Sequence, residues 1–450
     1  MQSAMKNTTI GMLLAVCVAG ASAGAAGATE LVGRAVLPAE TYAFGPTSGQ
    51  FTTGGNGIVA PYLFRQPVQG VSSVIAGPVP GTYRVLSDNG FGAKSNSADY
   101  LLRSYGLRPD FKTATGGSGR VFPVDLATGA LLPAFDFPTW LQLQDPALKA
   151  GFAIVAEQAT YYPTSTIPVD PGIKNNRLLT GADFDLESFR KVPDGTFWVG
   201  EEFGPFLLHF SATGELLDAP VALPNFGGLG TNPLVQSPDN PLLNGATPNL
   251  GGSRGFEGLA LNASGDKLYA LLEGPLTDDP DRNRLIINEF DLATKTYTGK
   301  IFFYRMENTT ESGQAIGELT AINDSEFLVI ERDGKQGDPN NPAFTDPAQF
   351  KRIYKINLRK LDSQGFVEKE VVVDLLNIPD PNNVGGNGTT NGAFTFPFVT
   401  IESVLPIAPR LLLVANDNNF PGSVGRTPGV ADDNEFILVR LDKALRLTAR

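Results

Sequence analysis

The chain has 450 residues, with 47 acidic and 35 basic side chains and a formal net charge of −12 at pH 7. An acidic surface of this kind repels nucleic acid and anionic lipid, so we expect neither as a partner. The 50 glycines and 34 prolines follow no collagen-like period, and they favour many turns between short strands over a helical or fibrous protein.

The N-terminal segment has the pattern of a secretory signal peptide. Lys6 supplies a positive charge, residues 10–19 form a short apolar run, and Ala21-Ser22-Ala23 offers a cleavage site of small residues. The run is too short for a membrane anchor, and no later stretch is apolar enough to span a bilayer. We therefore expect residues 1–23 to be removed and the mature protein to be periplasmic or secreted. Cys17, the only cysteine, lies in this segment, so the mature chain can form no internal disulfide.

A weak internal repeat runs through the rest of the chain. Five segments share one pattern: a hydrophobic strand with an acid near its start, a tight turn, a second strand, and then acidic or amide residues. In chain order the first strands of these segments begin at residues 71–74, 186–189, 256–259, 317–320 and 401–404.

Further strands follow each pair, so each unit holds about four strands, as a β-propeller blade does. We therefore predict an all-β protein, a single propeller domain over residues 32–445 with five recognisable blades. A sixth blade is possible, because the interval between residues 72 and 187 is the longest and contains a candidate strand at 152–157. The strand-like N-terminal segment 31–37 would complete the last blade and close the ring. A pair of β-sandwiches would account for the strands but not for the recurring acids.

The acids of the repeat are predicted to converge. In a propeller the first strand of each blade lines the central channel and the second strand returns to the same face. An acid at the start of the first strand therefore meets one at the end of the second, and the spacing of Glu257 and Glu273 fits such a hairpin. The predicted ring of carboxylates comprises Asp88, Glu187, Glu202, Glu257, Glu273, Glu318, Glu331, Glu402 and Asp417.

Such a ring favours a metal site. Like charges gathered in one place raise each other's pKa, and a divalent cation relieves the repulsion. Calcium takes about six to eight oxygen ligands, whereas the sequence has no cluster of His or Cys for zinc, so we expect calcium as the cofactor. The alternative is that single acids bind turn amides or pair with nearby bases, since Glu331 adjoins Arg332 and Glu257 lies near Arg254.

One motif points to different chemistry. Residues 251–255 match the Gly-x-Ser-x-Gly nucleophile pattern, with Ser253 at its centre. The pattern needs a strand–turn–helix elbow and a downstream histidine, but here it opens a strand and the only histidine, His209, lies upstream. We therefore do not expect a serine hydrolase of that type, and His209 is interpreted as a strand residue.

Several of these segments resemble the family called esterase-like activity of phytase, or phytase-like domain. The resemblance spans roughly residues 32–445. It is carried by Ser87-Asp88-Asn89-Gly90-Phe91-Gly92, Gly181-Ala182-Asp183-Phe184-Asp185-Leu186-Glu187-Ser188, Phe197-Trp198-Val199-Gly200-Glu201-Glu202-Phe203-Gly204-Pro205, Gly255-Phe256-Glu257-Gly258-Leu259-Ala260, Ile330-Glu331-Arg332 and Asp417-Asn418-Asn419-Phe420. It implies a propeller fold, export and an esterase or phosphoesterase activity, but no catalytic residues.

The leading hypothesis is an exported, calcium-dependent hydrolase of phosphate esters or similar anionic esters, acting as a monomer on a small substrate. The metal would neutralise substrate charge and activate water, with Glu257 and Glu202 as catalytic residues. Arg254, Arg332 and Lys94 would bind the substrate anion. One alternative is a propeller lactonase or carboxylesterase, which needs fewer bases and a more apolar pocket. The other is a non-catalytic periplasmic binding or scaffold protein.

Overall fold

The computed structural model describes residues 28–158, 160–307 and 313–448, so the signal peptide predicted at 1–23 lies outside the described residues. Helices are scarce in these ranges. They are one α-helix, α1 (Pro171–Asn176), and two 3-10 helices at Val155–Glu157 and Gly386–Gly388. None of these helices has the length and apolar composition needed to cross a bilayer.

The N-terminal third of the chain supplies the first set of strands. Its strands are β1 (Glu30–Leu37), β2 (Tyr42–Phe44), β3 (Arg65–Pro67), β4 (Val71–Ala76), β5 (Tyr83–Ser87), β6 (Arg103–Asp110), β7 (Arg120–Pro123) and β8 (Trp140–Gln142). Strands β4 to β7 pair antiparallel in sequence order as the first four-stranded set, and β8 also pairs with β6. Strands β2 and β3 form a small sheet of their own.

The middle of the chain repeats this arrangement twice. Its strands are β9 (Leu186–Lys191), β10 (Phe197–Glu201), β11 (Phe206–Phe210), β12 (Val221–Ala222), β13 (Phe256–Leu261), β14 (Lys267–Leu272), β15 (Arg284–Asp291) and β16 (Thr296–Arg305). Strands β9 to β12 form the second set and β13 to β16 the third. Every residue of β13 is buried, because other sheets cover both of its faces.

The C-terminal third supplies two more sets. Its strands are β17 (Ala315–Ala321), β18 (Glu326–Arg332), β19 (Lys351–Leu361), β20 (Val367–Asp374), β21 (Ile378–Pro379), β22 (Thr389–Thr390), β23 (Ala393–Phe394), β24 (Thr400–Ala408), β25 (Leu411–Asp417) and β26 (Asn434–Arg440). Strands β17 to β20 form the fourth set, and β21 to β23 form a small sheet. Strands β24 to β26 form the fifth set together with β1, which pairs antiparallel with β26 along its whole length.

The first strands of the five sets lie next to one another in a closed circuit. Strands β4, β9, β13, β17 and β24 contact each other in this order, and β24 returns to β4. Strand β1 also pairs in parallel with β7, so the first and fifth sets form one continuous path of eight strands. The protein is therefore all-β and propeller-like, as the sequence predicts.

The region that the sequence offers for a sixth blade has a different structure. The candidate strand at 152–157 is wrong, because residues Val155–Glu157 form a 3-10 helix. Between β7 and β9 the described residues contain β8, this 3-10 helix and α1, but no further four-stranded sheet. The long interval in the repeat is therefore filled by loops that cover the first two sets.

Hydrophobic packing joins each set to the next. Each junction has a buried apolar cluster with members from both sets: Leu86 and Phe189 for the first and second sets, Trp198 and Phe290 for the second and third, Leu271 and Val329 for the third and fourth, Ile330 and Ile401 for the fourth and fifth, and Phe436 and Val85 for the fifth and first. Burying one such side chain stabilises a fold by about 1.5–3 kcal/mol. Apolar residues therefore hold neighbouring sets together at all five junctions. Polar residues at one end of the circuit of inner strands are not needed for this packing.

A buried ion-pair network holds the N-terminal strand to the last sheet. Glu435 of β26 accepts hydrogen bonds of 2.6 and 2.9 Å from Arg34 of β1 and of 2.8 and 2.9 Å from Arg426. Burial alone would raise the pKa of the Glu435 carboxyl, but Arg426 and Arg34 outweigh burial and lower this pKa from 4.5 to about 2. The carboxylate therefore stabilises the folded chain wherever it is ionised.

Replacement of Glu435 by glutamine should destabilise the protein, because it leaves two largely buried guanidinium groups without their anion. We expect the free energy of unfolding at pH 7 to fall by about 3 kcal/mol. The stabilisation by Glu435 is complete above its unfolded pKa of about 4.5 and is lost as the pH falls towards 2. The difference between wild type and Glu435→Gln in urea denaturation should therefore shrink between pH 5 and pH 3.

The control is Glu368→Gln, which breaks an exposed ion pair with Lys360 and should leave the denaturation midpoint unchanged. Equal midpoints for wild type and Glu435→Gln at pH 7 would contradict the role of the buried network.

A buried carboxylate cluster as the candidate metal centre

The inner strand of every set has a β-bulge near its start. The pairing register skips one residue in each of these strands, and the skipped residues are Ser72, Glu187, Glu257, Gly317 and Glu402. A bulge turns its extra residue out of the regular pleat, so these five residues occupy equivalent positions around the circuit. Three of the five are glutamates.

The end of the second strand in each set provides another equivalent position. In each second strand, this position comes directly after the residue that pairs with the first strand on the N-terminal side of the bulge. The residues at this position are Asp88, Glu202, Glu273, Arg332 and Asp417. Four of these side chains are acidic and one is a guanidinium. The two sets of positions adjoin across each strand pair, so their acids are brought together at one end of the circuit.

The carboxylates approach one another closely. Glu187, Glu257 and Glu402, from three different sheets, each place one oxygen within 4.8 Å of the others. Asp185, Glu187 and Glu202 do the same within the second set, and Glu187 belongs to both groups. All five side chains are more than nine-tenths buried. We call these five residues, together with Asp88, Glu273 and Asp417, the acid cluster.

Several oxygens of the acid cluster have no partner in the part of the chain that the structure describes. These are Glu202 Oε1, Glu257 Oε1 and Glu402 Oε2, all of them buried. Burial, followed by the charges of Asp185 and Glu257, raises the pKa of Glu187 well above its usual range. Burial, followed by Glu402 and Glu273, does the same to the pKa of Glu257. A bound cation would stabilise these buried carboxylate oxygens. Because all the available ligand atoms are oxygens, the group fits a hard divalent cation such as calcium.

Two arginines adjoin the acid cluster. Arg332 Nη2 donates a hydrogen bond of 2.8 Å to Glu273 Oε1 and lies 3.9 Å from Glu402 Oε1. Arg254 Nη1 donates a 2.8 Å bond to the other oxygen of Glu273. The Arg332 side chain is buried, whereas that of Arg254 is 34% exposed. Arg332 thus supplies a fixed positive charge inside the cluster, and Arg254 lies at its accessible edge.

Glu318 and Glu331, which the sequence analysis includes in the ring, are not brought into the acid cluster. The equivalent positions of the fourth set are Gly317 and Arg332, each one residue away. Glu318 forms a 2.8 Å ion pair with Arg190 and accepts a hydrogen bond from Ser73.

Glu331 points to the far side of its strand. It accepts hydrogen bonds of 2.6 Å from Tyr304 and 2.5 Å from Lys369. No glutamate could replace Gly317, because a Cβ atom there would lie 2.1 Å from the carbonyl oxygen of Ile401 in the neighbouring strand. The close approach of β24 therefore leaves the fourth set without an acid at its bulge.

Asp185 belongs to the acid cluster but is absent from the ring predicted from the sequence. It lies two residues before Glu187, and its Oδ2 accepts a 2.7 Å hydrogen bond from the side-chain amide of Asn89. The alternation of acids at 183, 185 and 187 is the signal that could have found it. A period of two places such side chains on one side of an extended chain.

A cavity of about 620 Å³ lies beside the second set, lined by chain neighbours of the acid cluster and not by the eight acids themselves. Phe203, which follows Glu202, and Ser253, which precedes Arg254, both line this cavity. Lys94 lies on its wall, with Nζ 5.3 Å from the centre of the Phe203 ring and 3.3 Å from the carbonyl oxygen of Asp239. Lys94 therefore belongs to the approach to the cluster and not to the ring of acids.

His209 takes no part in this site. Its ring is hydrogen-bonded on both sides, to Asp218 at 2.7 Å and to Thr196 at 2.9 Å, and it stacks on Trp198 at a centroid distance of 4.5 Å. A histidine held in this way cannot serve as a base for Ser253, which agrees with the rejection of the nucleophile motif.

Comparison with known proteins identifies one family. The family model described as "Phytase-like: Esterase-like activity of phytase" matches residues 66–420, a range that contains every residue of the acid cluster. The resemblance predicted from the sequence is thereby confirmed. A curated relative from Arthroderma benhamiae, called "Uncharacterized secreted protein", is 28% identical over 205 residues. That match covers 39% of this chain and 39% of the relative.

Solved structures resemble the chain only distantly. One is the luciferin-regenerating enzyme, with 13% identity, a TM-score of 0.34 and coverage of 94% of this chain and 97% of that chain. Another is regucalcin from Agrobacterium tumefaciens, described as a calcium-binding protein, with 11% identity, a TM-score of 0.32 and coverage of 92% of this chain and 100% of that chain. Scores of this size establish neither a common fold nor a common function.

Replacement of Glu187 by glutamine should weaken calcium binding more than any other single change in the acid cluster, because Glu187 belongs to both groups of three carboxylates. We expect the calcium dissociation constant, measured by isothermal titration, to rise at least roughly tenfold, which corresponds to about 1.4 kcal/mol. Calcium should also raise the melting temperature of the wild type, because it binds the folded state selectively.

The matched control is Glu331→Gln, since Glu331 is buried in the same ring of strands but is held by Tyr304 and Lys369. It should bind calcium like the wild type. Equal calcium affinity in Glu187→Gln and the wild type, or no calcium binding by the wild type, would refute the site.

Proposed function

Because the chain belongs to the phytase-like family, described as esterase-like activity of phytase, we propose that it is a divalent-cation-dependent ester hydrolase centred on the acid cluster. One observation carries the proposal. Two groups of three buried carboxylates share Glu187, and oxygens of Glu202, Glu257 and Glu402 lack partners among the described residues. An uncompensated set of this kind is costly to a fold, and active sites are where such cost is retained.

The acid cluster divides into residues with different tasks. Glu187, Glu257 and Glu402 would hold one cation, and Asp185, Glu187 and Glu202 a second. A bound calcium ion supplies Lewis acidity, which polarises an ester oxygen and makes water more acidic. Glu202 precedes Phe203 of the cavity wall, and its Oε1 has no partner among the described residues, so we assign it the task of taking the proton of the attacking water.

The two arginines would interact with negative charge on the substrate. Arg332 is fixed inside the acid cluster by Glu273 and would stabilise the negative charge that develops on the ester oxygen. Arg254 lies at the exposed edge and would orient the substrate as it enters. Lys94, on the cavity wall, would act at the same stage.

We also propose the finer architecture and the location. The closed circuit of inner strands supports five blades, with β1 completing the last one, as a single domain over residues 32–445. Export to the periplasm or the medium is supported by the signal pattern at residues 1–23 and by the name of the curated relative, which calls that protein secreted.

Glu257→Gln and Glu202→Gln probe the two groups of carboxylates. With calcium present, Glu257→Gln should weaken calcium binding and hydrolysis together, because Glu257 belongs only to the group formed with Glu187 and Glu402. Glu202→Gln should lower kcat by roughly a hundredfold or more, since it removes the proton acceptor, and it should weaken only the second cation site, so that calcium binding to the first group persists. Steady-state rates on aryl esters, lactones, aryl phosphates and phytate, with and without a chelator, provide the measurement.

Glu331→Gln again serves as the control and should retain wild-type rates. If the wild type hydrolyses none of these substrates with calcium bound, the chain is a non-catalytic binding protein and the hydrolase proposal fails.

A further inference from the structure

The cavity beside the second set has a mixed wall, in which apolar surface slightly exceeds polar surface. Residues that face it include Ala98, Phe152, Val155, Pro163, Phe203 and Pro241. Its volume of about 620 Å³ lies in the range of small-molecule sites, which is about 300–1,000 Å³. A wall of this composition binds a compact aromatic or aliphatic group.

The charges around the cavity oppose a polyanionic ligand. Its ionisable residues are Lys94, Asp183 and Asp239, so acids outnumber bases even on this wall. Asp183 is already committed, because it accepts hydrogen bonds of 2.7 Å from the backbone of Val155 and 2.8 Å from that of Thr180.

The acid cluster itself adds eight carboxylates, against which stand only Arg254 and Arg332 among the residues described around it. Glu273 already takes both guanidinium groups as partners. Two bound divalent cations would still leave this end of the protein with more negative than positive charges. A phosphate dianion would be repelled here, and phytate far more so, whereas a neutral ester would not.

The rim of the cavity holds two strained residues. Thr164 and Ser253 both line it, and both have positive φ angles, of 56° and 47°. A β-branched residue rarely adopts this left-handed conformation. Backbone strain of this kind is concentrated at binding and catalytic sites, so the rim has the character of a ligand site and not of an incidental surface hollow.

We propose that this cavity binds the apolar group of an uncharged ester, so that the substrate class is carboxylic esters or lactones with a compact aromatic or aliphatic group, and not phosphate esters. The inference rests on the proposed ester hydrolysis at the acid cluster. Phe203 and Ser253 of the cavity wall adjoin Glu202 and Arg254 in the chain, and Gly255 packs against the backbone of Glu202, so a group held in the cavity lies beside the second set of carboxylates. The leading hypothesis from the sequence, an anionic ester, is thus replaced by its first alternative.

Matched substrates test the charge. 4-Nitrophenyl butyrate and 4-nitrophenyl phosphate share an aromatic group and differ in charge, and phytate carries many phosphates on a polar ring. With calcium present we expect kcat/KM for the butyrate to exceed that for the phosphate at least tenfold, with no turnover of phytate. Equal or faster hydrolysis of the phosphate would overturn the inference and leave the hydrolase proposal standing.

Ala153→Phe tests the cavity. Ala153 is exposed on the cavity wall, so the larger side chain fills the space without disturbing the core. We expect KM for the butyrate to rise at least fivefold and the calcium affinity to stay unchanged. Ala293→Phe, an equally exposed substitution in the turn between β15 and β16, is the control and should alter neither.

Binding of 2-naphthol, followed by isothermal titration, gives a readout that needs no turnover. It should bind the wild type and Ala293→Phe, and Ala153→Phe should bind it at least fivefold more weakly. If 2-naphthol binds in this way but no ester is hydrolysed, the apolar site stands and the hydrolase proposal falls. If it binds all three proteins equally, or none of them, the cavity inference is wrong.

Discussion

Repulsion among buried carboxylates is the constraint on which the functional end of this protein depends. Glu187, Glu257 and Glu402 come from the second, third and fifth sheets of the closed circuit, so they cannot separate without opening it. Water is excluded from the oxygens of Glu257 and Glu402 that lack partners. The fold thus holds carboxyl groups together against their mutual repulsion, which is the basis of the proposed cation site.

The asymmetry of the circuit follows from the fourth set. Gly317 and Arg332 stand where the other sets carry a polar side chain at the bulge and an acid at the strand end. The close approach of Ile401 explains the glycine. Arg332 then lies against Glu273 and Glu402 as an internal counter-charge, which partly neutralises one side of the cluster. The opposite side, formed by the second set, gathers Asp185, Glu187 and Glu202 next to the cavity.

The acid cluster therefore has two unlike sides, one that contains an arginine and one that lies next to the cavity. Phe203 lies on the cavity wall, and Glu202, which precedes it in the chain, belongs to the carboxylates of the second set. Family membership alone leaves the substrate class open, because an esterase and a phosphoesterase both agree with the family description. The excess of acids around the cavity is the observation behind our proposal of an uncharged ester.

The sequence by itself determined the all-β, propeller-like architecture, the family and most of the acid cluster. These features were predictable because hydrophobic strands with acids near their ends recur along the chain. Such a repeat can be recognised from the sequence without knowing any interatomic distance. The sequence analysis wrongly included Glu318 and Glu331 in the ring, where the structure has Gly317 and Arg332, each one residue away. A β-bulge shifts the pairing register by one residue, and the composition of the strand does not reveal it. Only the tertiary structure showed Asp185 beside Glu187, Glu273 between two arginines, and the cavity. These features join residues from different sheets and loops, and such proximity depends on how the sheets pack around the circuit.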